Sequence, residues 1–318
     1  MRLARVLSLG ALVACGGSAT SPAGPSDSGV PAEVDASGSD AAAPGEGGAV
    51  PACPTFGAPA ARGVVGAPEI AEASGLVASR RHADVVWTHN DSGDVARVFA
   101  LRTTDASVLG AVSVTGANAT DWEDIALGTH AGVPSLFIGD IGDNAARRPN
   151  VTVYIAPEPD VAPLPASVAV TLAMTLTYED GPRDAEALVV DPRSGELVVI
   201  EKSLGPAGVY VLTPPFAATG VLRRVATIDL SRSGVGTLVT AADVTGAGDA
   251  VIVRTYGGAL WYPRAEGSEM WRALVGTSCP IDVASEGQGE SIAASADAKT
   301  VFTLSEGVGS RLNATPRL

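Results

Sequence analysis

The chain has 318 residues, 46% of them hydrophobic and only 4% aromatic, with 21 Lys and Arg set against 35 Asp and Glu for a formal net charge of −14. That balance argues against a nucleic-acid partner, because a phosphate backbone needs a cationic surface. It also argues against a second lipid-binding face, and leaves cations or neutral solutes as the better-matched partners.

The N-terminus follows the secretory pattern. Arg2 and Arg5 form a short positive region, and the apolar stretch from Val6 to Ala14 is too short to span a bilayer. It runs into Leu12-Val13-Ala14-Cys15, which resembles the lipobox of bacterial lipoproteins. The resemblance implies a signal peptide over residues 1–14 and an acylated Cys15, and hence an extracytoplasmic protein held on a bacterial membrane, the outer rather than the inner. An ordinary signal peptide with an incidental cysteine is the competing reading. Residues 16–50 carry three valines, no aromatic residue and no Lys or Arg. Such a segment buries too little apolar surface to offset its ordering entropy. With Cys15 it is expected to be a disordered tether over residues 15–50, spanning roughly 30 Å as a flexible coil.

Residues 51–318 are expected to form one all-β domain. Short apolar runs punctuated by Gly, Pro, Asp and Asn occur at Val85–Trp87, Leu136–Ile138, Val151–Ile155, Leu197–Ile200, Val209–Leu212, Val251–Val253 and Val301–Leu304. The longest alternating run, Val168 to Tyr178, reads as one strand with Val168, Val170, Leu172, Met174, Leu176 and Tyr178 on one face. A short motif recurs through the domain. Glu123-Asp124-Ile125-Ala126, Glu186-Ala187-Leu188-Val189 and Glu290-Ser291-Ile292-Ala293 share a form that Ser74-Gly75-Leu76-Val77 matches without the acid, and Thr240-Ala241-Ala242 matches more weakly. The starts at 74, 123, 186, 240 and 290 give a period of about 50 residues, the length of four short antiparallel strands with their turns. Radial repetition of such sheets is a β-propeller, here of five or six four-stranded blades. A two-sheet sandwich is the rival, but it leaves the recurrence without a cause. The last repeat is short and needs a strand from residues 57–70 to complete it.

With Cys15 taken by lipid, Cys53 and Cys279 remain, one at each end of the domain. Export permits a disulfide, and they are read as a pair; two free thiols are the alternative.

In a propeller blade the start of the first strand lies beside the end of the second. First-strand starts supply Glu123, Glu186 and Glu290; second-strand ends supply Asn90, Asp91, Asp140, Glu201 and Glu306, with Lys202 and Arg254 as the nearby cations. Carboxylates gathered in a half-buried site must be protonated, paired or bound to metal. Hard oxygen donors without clustered His or Cys point to Ca²⁺, and less readily to Mg²⁺. Any single Asp-Ser-Gly-Asp or Gly-Asp-Asn string is equally a turn. Among the three histidines only His89, beside Asn90-Asp91, is placed interestingly, and a loop histidine is more often exposed or structural. Trp87, Trp122, Trp261 and Trp271 read as packing residues, and Arg147-Arg148 as a solvated turn. No Gly-x-Ser-x-Gly, His-Glu-x-x-His or phosphate-loop motif occurs.

The strings Ser74-Gly75-Leu76, Trp87-Thr88-His89-Asn90-Asp91-Ser92-Gly93, Asp121-Trp122-Glu123-Asp124-Ile125-Ala126, Gly139-Asp140-Ile141-Gly142-Asp143-Asn144 and Glu186-Ala187-Leu188 resemble exported bacterial propeller proteins. Those are distantly similar to the calcium-dependent propeller superfamily of gluconolactonases, strictosidine-synthase-like proteins and phytase-like esterases. The resemblance implies an axial metal that polarises an ester carbonyl, held by a Glu with Asn and Asp side chains, roles open here to Glu123, Glu186, Glu290, Asn90 and Asp140. The chain offers more acids than that pattern and no clear general-base Asp.

Two functions are therefore expected. The first is a membrane-anchored, monomeric lipoprotein whose acidic axial face binds a small molecule or a protein with a divalent cation. The second is a metal-dependent hydrolase of a lactone, ester or phosphoester.

Overall fold

The structure is a computed structural model that describes residues 48–318. Cys15, the signal peptide and all but the last three residues of the tether lie outside the described residues.

The chain opens with β1 (Ala60–Val64), then runs through β2 (Ala73–Ala78), β3 (Val85–Asn90), β4 (Arg97–Arg102) and β5 (Val108–Thr115). There follow β6 (Trp122–His130), β7 (Val133–Asp140), β8 (Val151–Pro157), β9 (Ser167–Ala169) and β10 (Leu172–Tyr178). Next come β11 (Ala185–Val190), β12 (Leu197–Glu201), β13 (Ala207–Leu212) and β14 (Thr219–Ile228), and then β15 (Val239–Val244), β16 (Ala250–Thr255) and β17 (Gly258–Pro263). A single helical turn, α1 (Met270–Ala273), precedes β18 (Cys279–Ile281), and β19 (Gly289–Ala294), β20 (Thr300–Ser305) and β21 (Arg311–Pro316) complete the chain.

These strands form meanders with the sheet orders β2-β3-β4-β5-β9, antiparallel up to β5, β15-β16-β17-β18 and β1-β21-β20-β19, and an eight-stranded sheet β11-β12-β13-β14-β10-β8-β7-β6. The eight-stranded sheet is two meanders joined at their outer edges, where β10 runs parallel to β14 from Thr175↔Thr219 to Tyr178↔Leu222. The first strands β2, β6, β11, β15 and β19 pack side by side in a closed cycle, with β19 returning to β2. Hydrophobic clusters fill the space between neighbouring meanders, as where Leu76, Phe99 and Leu101 of one meet Phe302, Leu304 and Leu312 of another. Sheets that radiate from a ring of inner strands make a β-propeller.

Apart from the outer end of β6 at Thr129 and His130, the first strands are buried throughout, so small residues such as Ala126, Ala187, Ala241 and Ala293 alternate with Ile, Leu and Val where they crowd the axis. Two buried aspartates tie them together. Asp124 Oδ2 accepts the Leu188 N–H at 2.8 Å and the Ala242 N–H at 3.2 Å, reaching β11 and β15 from β6. Asp243 Oδ2 accepts the Ala294 N–H at 2.7 Å, linking β15 to β19. Burial pushes Asp243 up to about 6 and raises Asp124 well above its ordinary value.

The ring is closed by both chain ends. β1 pairs antiparallel with β21 from Ala60↔Ala314 to Val64↔Arg311, within the segment expected to complete the last repeat. Cys53 is disulfide-bonded to Cys279 across 226 residues, which fixes the leading segment to β18.

The expected long strand from Val168 to Tyr178 divides in two. β9 runs parallel to β5, whereas β10 belongs with β8, so Val170 and Thr171 carry the chain from one meander to the next. An apolar alternation can span such a jump because both halves pack inward: Val168 and Val170 onto one cluster, Met174 and Leu176 into another. Trp87, Trp122 and Trp261 are core residues, while Trp271 lies half-buried on α1. His89, read as exposed or structural, is the latter: it is fully buried, edge-on to Trp122.

Candidate metal centre

Each first strand breaks register against its second strand near its start. The shifts fall between Ala73 and Leu76, Trp122 and Asp124, Ala185 and Ala187, Val239 and Ala241, and Gly289 and Ser291. The skipped residues in the last four are Glu123, Glu186, Thr240 and Glu290. A β-bulge re-aims the side chain it carries. The recurring glutamates are therefore the residues that the bulges direct to one mouth of the axis, beside the ends of the second strands.

Their carboxylates share that mouth. Glu123 feels the charges of Glu186, Asp91 and Asp121, and Glu186 feels that of Glu290. Carboxylate oxygens of Asp91, Asp121 and Glu123 lie within 4.8 Å of one another. Glu123 is only 4% exposed. Burial first, then the neighbouring carboxylates, push its pKa up to about 11, and Lys202 offsets this only in part; among the described residues no hydrogen bond reaches its carboxylate. Burial likewise lifts Asp91 to about 6 and raises Asp121. One oxygen of Asp91, Oδ1, is buried with no hydrogen-bond partner among the described residues. A methyl group on Gly142 would overlap Glu123 Oε1 and come within 2.6 Å of Asp121 Oδ2, so this glycine is what lets the two acids approach.

The other side of the mouth is internally paired. Lys202 Nζ is ion-paired with Glu186 and donates to Tyr256 Oη at 3.0 Å, and Tyr256 Oη donates to Glu290 Oε1 at 2.6 Å. Burial raises Glu186 to about 8 against the pull of Lys202. Glu306 reaches about 9 through burial and its contact with Glu290, and accepts a hydrogen bond from Gln288 Nε2 at 2.8 Å. Burial works against the Lys202 charge, but Glu186 more than compensates and raises it.

Of the residues singled out in the sequence, the structure gathers Asp91, Glu123, Glu186, Glu290 and Glu306 at the mouth. The other three are committed elsewhere. Asn90 accepts from the Ala71 and Glu72 N–H groups and donates to Glu69 O and Asp94 Oδ2, which pins the loop before β2. Asp140 is ion-paired with Arg148 at 2.7 Å and caps the Thr120 N–H. Glu201 accepts the Gly208 N–H at 3.0 Å and turns towards Tyr178 and Tyr210. Second-strand ends thus converge less than first-strand bulges do. Asp121 was not singled out, because it precedes β6 on a loop. Its place two residues before Glu123, returning to the same side of the chain, was the signal that could have found it.

None of Asp91, Asp121 and Glu123 is ion-paired among the described residues, although Asp121 feels Arg148 and Glu123 feels Lys202; beside them, of Glu186, Glu290 and Glu306 only Glu186 is ion-paired, with Lys202. Protons or a hard divalent cation can neutralise the first group. Three carboxylates supply three to six oxygens, about half or more of a Ca²⁺ shell. The donor set fits such an ion.

Compared by sequence, the chain matches no family model and no curated protein. Among solved structures, the PQQ-bound form of aldose sugar dehydrogenase from Streptomyces coelicolor aligns with a TM-score of 0.46 at 11% identity, over 84% of this chain and 99% of that one.

Proposed function

We propose that this protein is a lipid-anchored, extracytoplasmic, five-bladed propeller that holds a divalent cation, Ca²⁺ in preference to Mg²⁺, at its acidic axial mouth and there binds a small molecule or a protein. Five meanders around five inner strands support the blade count, with β1 as the outer strand that completes the last blade. The Cys53–Cys279 bond supports an oxidising compartment.

The observation that carries the cation site is Glu123, a carboxylate nearly out of solvent with no hydrogen-bond donor among the described residues and two more acids beside it. Asp91 and Glu123 of the expected set, joined by Asp121, are the ligands, and Asn90, Asp140 and Glu201 drop out of it. Bound there, the cation neutralises the cluster and presents its remaining coordination positions to an oxygen ligand. Binding is favoured over hydrolysis because the groups nearby are already engaged: Glu186 by Lys202, Glu290 by Tyr256, and His89 as a neutral core residue held near pKa 4 by burial.

The test is the melting temperature of chelator-treated full-length protein as Ca²⁺ is added. A ligand at a hundredfold excess over its Kd adds about 2.7 kcal/mol. An upward shift that Glu123→Gln abolishes is expected; an equal shift in that variant, or none in either protein, refutes the site. Cys15→Ser tests the anchor separately and should move the protein from the membrane to the soluble fraction.

A further inference from the structure

Apart from the C-terminal Leu318, the three most exposed large apolar side chains among the described residues are Leu204 at 83%, Val95 at 66% and Val308 at 63%. Single apolar residues scattered over a surface mean little. These three are not scattered. Each stands on the loop between the second and third strands of a meander: Val95 between β3 and β4, Leu204 between β12 and β13, and Val308 between β20 and β21. Those loops leave the ends of β3, β12 and β20, which pair with the starts of β2, β11 and β19 on the mouth side. Val64, at the end of β1, lies beside the last of them at Gly309. In the β15–β18 meander the same loop is only Tyr256-Gly257, and between β7 and β8 it holds Arg147 and Arg148.

The Val308 loop walls a cavity of about 670 Å³ through Gly307 and Ser310, and Glu72, Glu286, Glu306 and Arg311 line it as well. Three carboxylates to one guanidinium leave it acidic. Glu286 is committed to Arg254 at 2.8 Å, so the available charge is that of Glu72 and Glu306. Glu306 feels Glu290, Asp91 and Glu72, which joins the cavity and the mouth into one negative field. A positive group placed among these acids relieves their mutual repulsion. Of the cations on this face, Lys202, Arg148 and Arg97 are held by Glu186, Asp140 and Asp94. That leaves Arg147 and Arg311 without an ion pair among the described residues, against the excess of acids.

An acidic hollow with apolar tips projecting around it complements a protein surface that interleaves basic and apolar side chains. A lipid bilayer is a poorer match. Anionic headgroups are repelled by these acids, and the leading segment joins the opposite face, where the Gly48 N–H donates to Glu266 O at 3.1 Å beyond the end of β17. A second copy of the chain, at a formal net charge of −14, would bring the same acids together. We propose that the mouth face docks a protein segment of interleaved basic and apolar residues, with a basic side chain entering the cavity beside Glu72 and Glu306 and apolar ones resting on Val95, Leu204 and Val308. This deepens the binding role proposed for the mouth and rests on it, but it uses none of the three cation ligands.

The experiment is fluorescence anisotropy of a labelled peptide alternating Lys and Leu, titrated with full-length protein carrying Cys15→Ser so that no acyl chain takes part. Saturable binding is expected. Val95→Ser, Leu204→Ser and Val308→Ser together should weaken it by about tenfold or more. Glu72→Gln should weaken it severalfold, whereas Val133→Ser, at an exposed strand end on the opposite face, should leave it unchanged. All five side chains are exposed, so these variants keep the fold. A Lys–Ser peptide should bind more weakly, and phosphatidylglycerol vesicles should not bind. The proposal is overturned if the Lys–Leu peptide does not bind, or if the Lys–Ser peptide or the triple variant binds as tightly. It is also overturned if Glu72→Gln has no effect, if Val133→Ser has an equal one, or if the vesicles bind through the same tips. The Ca²⁺-induced melting shift, read on the same protein without peptide, reports the cation site separately, so that either reading can fail alone.

Discussion

Without metal, the protein should become less stable as pH rises from 7 to 8, against the usual behaviour of paired carboxylates. Glu123 holds its proton in the folded state up to about pH 11, whereas in the unfolded chain the same group ionises near its ordinary 4.5. Between those values the folded state binds one more proton than the unfolded state, so stability is complete below the unfolded pKa and is lost as pH rises. The slope is about 1.4 kcal/mol per pH unit for each such proton. Glu306, raised to about 9, and Glu186, raised to about 8, act with the same sign. His89 acts oppositely. Its folded pKa near 4 lies below its ordinary 6.5, so its contribution grows between those values and is complete above them. The window from pH 7 to 8 is therefore free of it. For a domain of this size 1 kcal/mol corresponds to about 2–4 °C, so Glu123 alone should lower the melting temperature by about 3–6 °C over that unit. Scanning calorimetry in chelator at pH 7.0, 7.5 and 8.0 reads the slope directly. Glu123→Gln should remove one proton's share of it, and saturating Ca²⁺ should remove more, because metal ligands bind as carboxylates. A melting temperature that is level or rises between pH 7 and 8 would refute the reasoning.

Other consequences can be checked by substitution. Asp124→Ala strands the Leu188 and Ala242 N–H groups on two neighbouring inner strands, and urea denaturation should show a loss of about 2–5 kcal/mol. Gly142→Ala should leave the circular dichroism spectrum unchanged yet abolish the Ca²⁺-induced shift, since its methyl group displaces Glu123 and Asp121; a retained shift contradicts the placement of those acids. Cys53→Ser opens the longest covalent loop in the domain and should cost about 2–5 kcal/mol without changing the Ca²⁺ response.

The fold was legible because its repetition is chemical as well as geometric. The motif starting at 74, 123, 186, 240 and 290 marks the beginning of each inner strand, and the closing strand and the disulfide could be placed once the ring was assumed. The break between β9 and β10 was hidden, because a period-two pattern records which face is buried and not which neighbour buries it. The site was half legible. Glu123, Glu186 and Glu290 share a register that repetition exposes, but the bulges that aim them depend on pairing with the second strand. Asn90, Asp140 and Glu201 end their strands as expected, yet each finds a nearer partner in a backbone N–H or in Arg148, and no spacing rule discloses that. Arg254 read only as a nearby cation; it is buried against Gly289 and ion-paired with Glu286, 35 and 32 residues further on.

Anomalous diffraction from a crystal soaked in Mn²⁺ or Ca²⁺ would test the cation site most directly. The account predicts one strong peak bounded by carboxylate oxygens of Asp91, Asp121 and Glu123, and its disappearance in Glu123→Gln. An empty mouth in soaked crystals, or a peak that persists without Glu123, would contradict it.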